Sequence, residues 1–325
     1  GVACGHLLPT GDHRSDHPAP LEAGPKEDGG SGWVAFPDSG LRTLTYHGGM
    51  EARFLVQEAS AIGPGIARLV VAAPRVAARA LPGQFVIVRV TPDGERIPLT
   101  ICEHDAGDGT IVLVVQDVGR TSHEICLLEA GDRFADILGP LGHPTRVEGL
   151  GRCVVVSGGV GTAIALPVAR AMSEAGNDVV AIVGYRSSDQ VILVDEMVEA
   201  SGRVIVMTED GSLGGAGLVT DALRELLDAG SVDHVFTVGP IPMMAAVTDL
   251  TRESGVPTVA SLNPIMVDGT GMCGGCRVKV GEATRFACVD GPEFDAHLVD
   301  FELLATRNAA YRAFEQCQVE VATHG

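Results

Sequence analysis

Three cysteines near the end of the chain, Cys273, Cys276 and Cys288, constrain it more than any other feature. They stand in a C-x2-C-x11-C pattern, and Asp268 lies five residues ahead of the first. Glycines 269, 271, 274 and 275 surround them, as a backbone requires when it must turn tightly around an inorganic core. Counting an Asp268 oxygen as a donor gives D-x4-C-x2-C-x11-C. That is the C-x4-C-x2-C…C spacing of plant-type [2Fe–2S] sites with one ligand exchanged. The other reading is a structural zinc ion, held by the three cysteines and either Asp268 or His297. Spacing alone leaves both open.

The rest of the sequence narrows the choice. A chain of 325 residues has room for two domains and a small third module. Its 42 acidic against 23 basic residues give a net charge of −19. Nucleic acid and anionic membrane both call for a basic face, so neither is expected as a partner. The other five cysteines (Cys4, Cys102, Cys126, Cys153 and Cys317) are scattered, unlike a secreted disulfide framework, and imply a reducing, cytoplasmic compartment. No apolar run approaches the roughly 18 residues that a membrane-spanning helix needs, and the first residues show no charged region followed by an apolar core of signal-peptide length.

Residues 1–49 are rich in Gly, Pro, Asp and His without sustained periodicity and are expected to be a disordered extension. Met50 directly precedes the first strand-like run and reads as a start of translation. Residues 50–150 hold short Val- and Ile-rich runs at 52–59, 66–73, 85–91, 98–103 and 110–116, with one helical segment at 121–128. That rhythm predicts a small antiparallel barrel. From 151 to 262 strands and helices alternate: strands at 153–157, 179–184, 204–208, 234–238 and 258–261, helices at 162–175, 190–200, 218–229 and 242–254. Alternation of this kind predicts a doubly wound parallel sheet, so the fold class is all-β followed by α/β. Residues 263–325 form the cysteine module with a helical pattern at 303–314.

Several motifs fall at the ends of these elements. Gly158, Gly159, Gly161 and Thr162 follow the first parallel strand and open a helix, where a pyrophosphate can approach backbone and helix N-terminus. A plain tight turn is the alternative. Gly239, Pro240 and Met243 follow the fourth parallel strand, at an end that faces the ligand crevice in such sheets, although a helix start with core methionines explains them as well. In the barrel half, Arg96-Ile97-Pro98-Leu99-Thr100 sets a cation and a hydroxyl on one face of an extended run, suited to a phosphate and a ring. Gly119, Thr121 and Ser122 open that half's helix and offer a second phosphate contact.

Together, R-x-P-L-T, the Gly-x-Thr-Ser helix start, G-P-L-G at 139–142, G-G-V-G, G-P-x-x-M, D-G-T-G-M-C-G-G-C and D-G-P-E-F-D resemble the ferredoxin–NADP reductase superfamily. Within it they resemble the small subunit of NADH-dependent ferredoxin:NADP oxidoreductase, also described as sulfide dehydrogenase beta subunit, over about residues 50–320. The electron transfer subunit of dihydroorotate dehydrogenase is a close relative. The resemblance implies that Arg96 holds FAD phosphates, that Pro98, Leu99 and Thr100 line the isoalloxazine, with Thr100 near its reactive nitrogen, and that Gly119, Thr121 and Ser122 take the pyrophosphate. It implies that Gly158, Gly159, Gly161 and Thr162 cradle NAD(H), in preference to NADP(H), and that Gly239, Pro240 and Met243 close over the nicotinamide. Asp268, Cys273, Cys276 and Cys288 then bind a [2Fe–2S] cluster. The implied partners are a larger flavin and iron–sulfur subunit and, indirectly, ferredoxin, in a complex that bifurcates electrons or does not.

Two departures stand out. Relatives of the dihydroorotate dehydrogenase kind carry a cysteine where this chain has Asp268, and Ala163-Ile164 replaces a usual Ala-Pro. The former favours the ferredoxin:NADP oxidoreductase reading over a dihydroorotate dehydrogenase or hydrogenase-type complex. A zinc-stabilised nucleotide-binding module without redox activity is the alternative from another class. For cofactor choice, Arg186 and Ser187 suit a 2′-phosphate, whereas Asp189 suits a free ribose.

Overall fold

The computed structural model describes residues 53–310. The expectations for 1–49 and for the far end of the 303–314 helix lie outside these residues. The chain first lays down β1 (Val56–Gly63), β2 (Ile66–Ala72), α1 (Pro74–Ala77), β3 (Phe85–Arg89), β4 (Ile97–Asp105), β5 (Thr110–Gln116), α2 (Arg120–Cys126) and β6 (Asp136–Leu141). Its six strands make one antiparallel sheet in the order β1-β2-β5-β4-β3-β6. Val56 N–H donates to the Asp132 carbonyl at 2.9 Å and Phe134 N–H to the Phe54 carbonyl at 3.1 Å. These bonds draw the first strand to the segment ahead of the last and curl the sheet into a barrel. Between β4 and β5 the turn is made by Asp105, whose Oδ1 accepts the N–H groups of Gly107 and Asp108 at 2.7 and 2.9 Å.

Two expectations need correction here. The first strand lies at 56–63 rather than 52–59. A sixth strand, β6, carries Gly139 and Pro140, which erase the usual strand signal.

The second half runs β7 (Arg152–Gly158), α3 (Gly161–Glu174), β8 (Asp178–Tyr185), α4 (Val194–Ser201), β9 (Val204–Thr208), β10 (Gly215–Ala216), α5 (Val219–Asp228), β11 (His234–Val238), α6 (Ile241–Ser254) and β12 (Thr258–Ser261). After the cysteine loop come β13 (Arg277–Val280), β14 (Ala283–Phe286), α7 (Ala287–Asp290) and β15 (Glu293–Asp295), then a helix over residues 301–310. The large sheet has seven strands, β10-β9-β8-β7-β11-β12-β15, instead of the five expected. All pair parallel except β15, which the cysteine module adds antiparallel to β12. No helix among the described residues is long and apolar enough to cross a membrane.

Strand periodicity decides how these parts pack. In β5, Ile111, Leu113 and Val115 point into the barrel core, while Val112 and Val114 join Leu166, Ala169 and Met172 of α3 in a second core. In β3, Val86 and Val88 fill the barrel, while Phe85 and Ile87 join Leu262, Met266, Cys276 and Cys288 in a third. Both strands are apolar on both faces because both faces are buried. Polar contacts add less. Glu103 of β4 lies 3.3 Å from Arg68 and 3.5 Å from Arg170 of α3, but these side chains are about 30–36% exposed. Such pairs contribute about 0–1 kcal/mol, against about 2–5 kcal/mol lost on truncating a buried Ile or Leu to Ala.

One polar junction is partly buried. The segment between β6 and β7 meets the cysteine module where His143 N–H donates to the Gly291 carbonyl at 2.7 Å and the Thr145 hydroxyl donates to Glu293 Oε1 at 2.5 Å. Burial pushes the Glu293 carboxyl up from 4.5 to about 7, the Thr145 bond acting the other way. Folded protein therefore keeps this proton where the unfolded chain has released it. Its contribution is full below pH 4.5 and is lost as pH rises towards about 7. Glu293→Gln keeps an acceptor for Thr145 and cannot ionise, so its stability should lose that slope. Thermal unfolding on either side of the window reads this, and an unchanged slope would show that the carboxyl is already ionised in the fold.

Candidate functional site

A cleft of about 1420 Å³ runs between the barrel and the carboxyl ends of β7, β8 and β11. It is lined by Arg96, Pro98, Leu99 and Thr100, by Gly119, Thr121 and Ser122, by Gly158, Gly159 and Gly161, and by Gly239, Pro240 and Met243. At one end it reaches Ile265, Met266 and Val267, which lead into the cysteine loop. Four motifs separated by up to 147 positions in sequence thus share one wall system, the span from Arg96 to Met243.

The two glycine loops fit because they lack side chains. A Cβ on Gly158 would stand 2.6 Å from Met243 Sδ and 3.1 Å from Pro240 Cδ. One on Gly161 would meet the Val238 carbonyl oxygen at 2.8 Å. The loops after β7 and β11 therefore touch, at the point where strand order reverses from β8 on one side to β11 on the other. Such a switch point is where open α/β sheets bind ligands.

Thr162 is not on that wall. It is fully buried, with Oγ1 3.1 Å from Ser157 Oγ and 2.9 Å from the Tyr185 hydroxyl, which itself donates to the Ile192 carbonyl at 2.7 Å. Its side chain braces the glycine loop from beneath and does not reach the cleft. Ser122 lines the cleft but spends its hydroxyl on the turn: Oγ accepts from Val118 and Gly119 N–H at 3.0 and 2.9 Å and donates to the Gly119 carbonyl at 2.9 Å. Thr121 donates to Glu95 at 2.9 Å.

On the barrel side the alternation of β4 matters. Ile97 and Leu99 are partly buried against the barrel core while still bordering the cleft, and Arg96, Pro98 and Thr100 share the opposite face of the run. Arg96 lies 3.6 Å from Asp136, and both are well exposed, so little holds its guanidinium there.

At the far end of the cleft, β8 and β9 deliver Arg186 and Glu209. Asp189, the acidic residue singled out from the sequence, is bonded by the Ser187 hydroxyl and does not line the cleft. Glu209 does, and it is exposed. Only its position one residue past the end of β9 marks it, a signal visible once β9 is placed. Asp210 beside it is turned away, its Oδ1 accepting the N–H and hydroxyl of Ser212 at 2.9 and 2.6 Å.

The cysteine loop folds around its own polar atoms. Asp268 Oδ1 accepts the Thr270 N–H at 2.8 Å and Oδ2 the Cys273 N–H at 2.5 Å. These bonds, Thr270's first, hold its carboxyl below the usual carboxylate range. Cys276 and Cys288 are buried with their sulfurs 3.1 Å apart, while Cys273 is exposed and its Sγ accepts the Gly275 N–H at 3.4 Å. Burial, then the hydrogen bond shared with Cys276, pushes the Cys288 thiol up. His297 faces elsewhere: its Nε2 lies 3.1 Å from Thr251 Oγ1 on α6. Among the described residues no three His, Cys, Asp or Glu donors gather closely enough to hold a single metal ion.

Residues 263–300 match the model of the iron–sulfur cluster binding domain of dihydroorotate dehydrogenase B. Over 247 residues the chain is 47% identical to a Thermotoga maritima protein named dihydroorotate dehydrogenase B (NAD(+)), electron transfer subunit homolog, covering 76% of this chain and 87% of that one. The chain belongs to the dihydroorotate dehydrogenase B electron transfer subunit family. As a member it is an electron transfer subunit of an oxidoreductase. A solved NADH-dependent reduced ferredoxin–NADP oxidoreductase, studied for flavin-based electron bifurcation, superposes with a TM-score of 0.80 at 43% identity, covering 84% of this chain and 98% of that one. An Amycolatopsis cytochrome P450 reductase shares the fold, with a TM-score of 0.54 at 23% identity over 62% of this chain and 65% of that one. The family member therefore combines a ferredoxin–NADP reductase-like fold with a C-terminal iron–sulfur binding domain.

Proposed function

We propose that this chain passes electrons between NAD(H), FAD and a [2Fe–2S] cluster as the small subunit of a ferredoxin:NADP oxidoreductase-type complex. The observation that carries the proposal is the continuity of the cleft, from the Arg96–Thr100 face past both glycine loops to the segment entering the cysteine loop. On this reading residues 50–150 hold the flavin, 151–262 the dinucleotide and 263–325 the cluster. Flavin supplies the exchange between two-electron hydride chemistry and the single electrons that a cluster carries.

The residues present suit these groups. Arg96 would pair with flavin phosphate, Pro98, Leu99 and Thr100 would line the ring, and the turn held by Ser122 would present the Gly119–Thr121 backbone to the pyrophosphate. Gly159 has a φ of +56° and open space where a Cβ would stand, so the dinucleotide can approach backbone beside Gly158 and Gly161. Pro240 and Met243 would cover the nicotinamide. Three thiolates and a carboxylate are a donor set for iron and sulfide, and each Asp268 oxygen keeps a lone pair beyond its backbone bond.

Glu209 supports NAD(H) over NADP(H). A carboxylate at the end of the third parallel strand can accept both hydroxyls of a free ribose and repels a 2′-phosphate. Asp268 favours the ferredoxin:NADP oxidoreductase reading over a dihydroorotate dehydrogenase complex. Around the cysteine loop Met272 is 88% exposed, with Val267 and Val289 also exposed, an apolar surface suited to a larger flavin and iron–sulfur subunit and through it to ferredoxin.

Cys276→Ala should lose iron and the cluster's visible bands while FAD stays bound, since the flavin residues lie in the barrel. Iron and flavin content of the purified variant measure this, and loss of both together would contradict the division of labour. Glu209→Ser should weaken NADH binding and narrow its preference over NADPH by about tenfold, the ratio that roughly 1.4 kcal/mol of differential binding gives. Equal affinities of wild type and variant for both cofactors would remove Glu209 from the ribose site.

A further inference from the structure

The helix over residues 301–310 packs on the cysteine module. Asp300 starts it, its Oδ1 accepting the Leu303 N–H at 2.9 Å. Leu304 on its inner face is buried in the same core as Cys276 and Cys288. Two side chains further along reach back to the loop. Asn308 Nδ2 donates to the Asn263 carbonyl at 3.0 Å, where the module begins. Arg307 Nη2 donates to the Gly275 carbonyl at 3.3 Å.

Gly275 stands between Cys273 and Cys276, and its own N–H points at Cys273 Sγ. Arg307 thus brings a partly buried positive charge to the backbone between two cysteines. No ion pair among the described residues involves it. Arg277 also lies near this turn, close to Gly274, but it is exposed and solvent screens it.

We propose that Arg307 is a positioning residue for the cluster: it fixes the Cys273–Cys276 turn, and its charge raises the cluster's reduction potential. The proposal rests on the [2Fe–2S] reading of the site. Reduction adds one negative charge to a centre already held by three thiolates and a carboxylate, in a chain of net charge −19. A nearby, partly desolvated cation lowers the free energy of that added electron, because net charge and hydrogen bonding around a cluster set its potential.

Redox titration of the full chain, followed by electron paramagnetic resonance and paired with iron analysis, tests this on three proteins. Arg307→Gln keeps a donor for the Gly275 carbonyl and loses the charge, so its midpoint should move to more negative potential at unchanged iron content. Arg307→Lys keeps the charge and should stay close to wild type. A Gln variant at the wild-type potential overturns the proposal, as does a Lys variant shifted as far as the Gln variant. Loss of iron from both variants alike also overturns it, since the charge would then not be what matters. A wild-type chain that binds no cluster would instead defeat the underlying assignment of the module.

Discussion

Two strands buried on both faces hold this molecule together. β3 and β5 each send alternate residues into the barrel and, on the other face, into a different neighbour: the cysteine module for β3, the parallel sheet's α3 for β5. A strand of this kind cannot shift register by one residue without exchanging its two apolar faces between two packed cores. The barrel is thereby pinned against both other parts, and the cleft keeps its walls. The ion pair between Glu103 and Arg170 across the same boundary is only partly buried and too weak to do this.

Fixed walls matter because the proposed chemistry is mostly positioning. The contributions proposed for the cleft are close backbone approach, a guanidinium and a covering methionine. Contact between the loops after β7 and β11 is possible only through Gly158, Gly161 and Gly239, whose Cβ positions are taken by the opposite loop. The hydroxyl set of Ser157, Thr162 and Tyr185 supports one of those loops from below.

Much of this was legible in the sequence. Every parallel strand from β7 to β12, except the two-residue β10, falls within a residue of its expected place, since continuous Val and Ile runs flanked by glycine have few other ways to be buried. The barrel was harder. β6 carries Gly139 and Pro140, and β1 is exposed along Gln57–Ala61, so neither shows clear alternation. Among the site residues, backbone positions such as Gly158 and Gly239 could be read, because glycine itself is the signal. Side-chain direction could not: Thr162 and Ser122 look like ligands in sequence and are spent on local hydrogen bonds. The roles proposed for Glu209 and Arg307 depend on spatial neighbours, Glu209 sharing the cleft wall with Arg186 and Arg307 reaching Gly275 across 32 positions.

Asp268 joins these themes, since the same carboxylate that shapes the cysteine loop is offered as a ligand within it. That double role is consistent with its two backbone bonds, one to Thr270 and one to Cys273. The central claim is that the cleft and the loop form one electron path. Anaerobic titration of the purified full chain with NADH, followed by visible absorption and electron paramagnetic resonance, tests it directly. The account predicts bleaching of a bound flavin together with the appearance of a reduced [2Fe–2S] signal. A colourless protein containing zinc, or flavin reduction in a protein without iron, would contradict it.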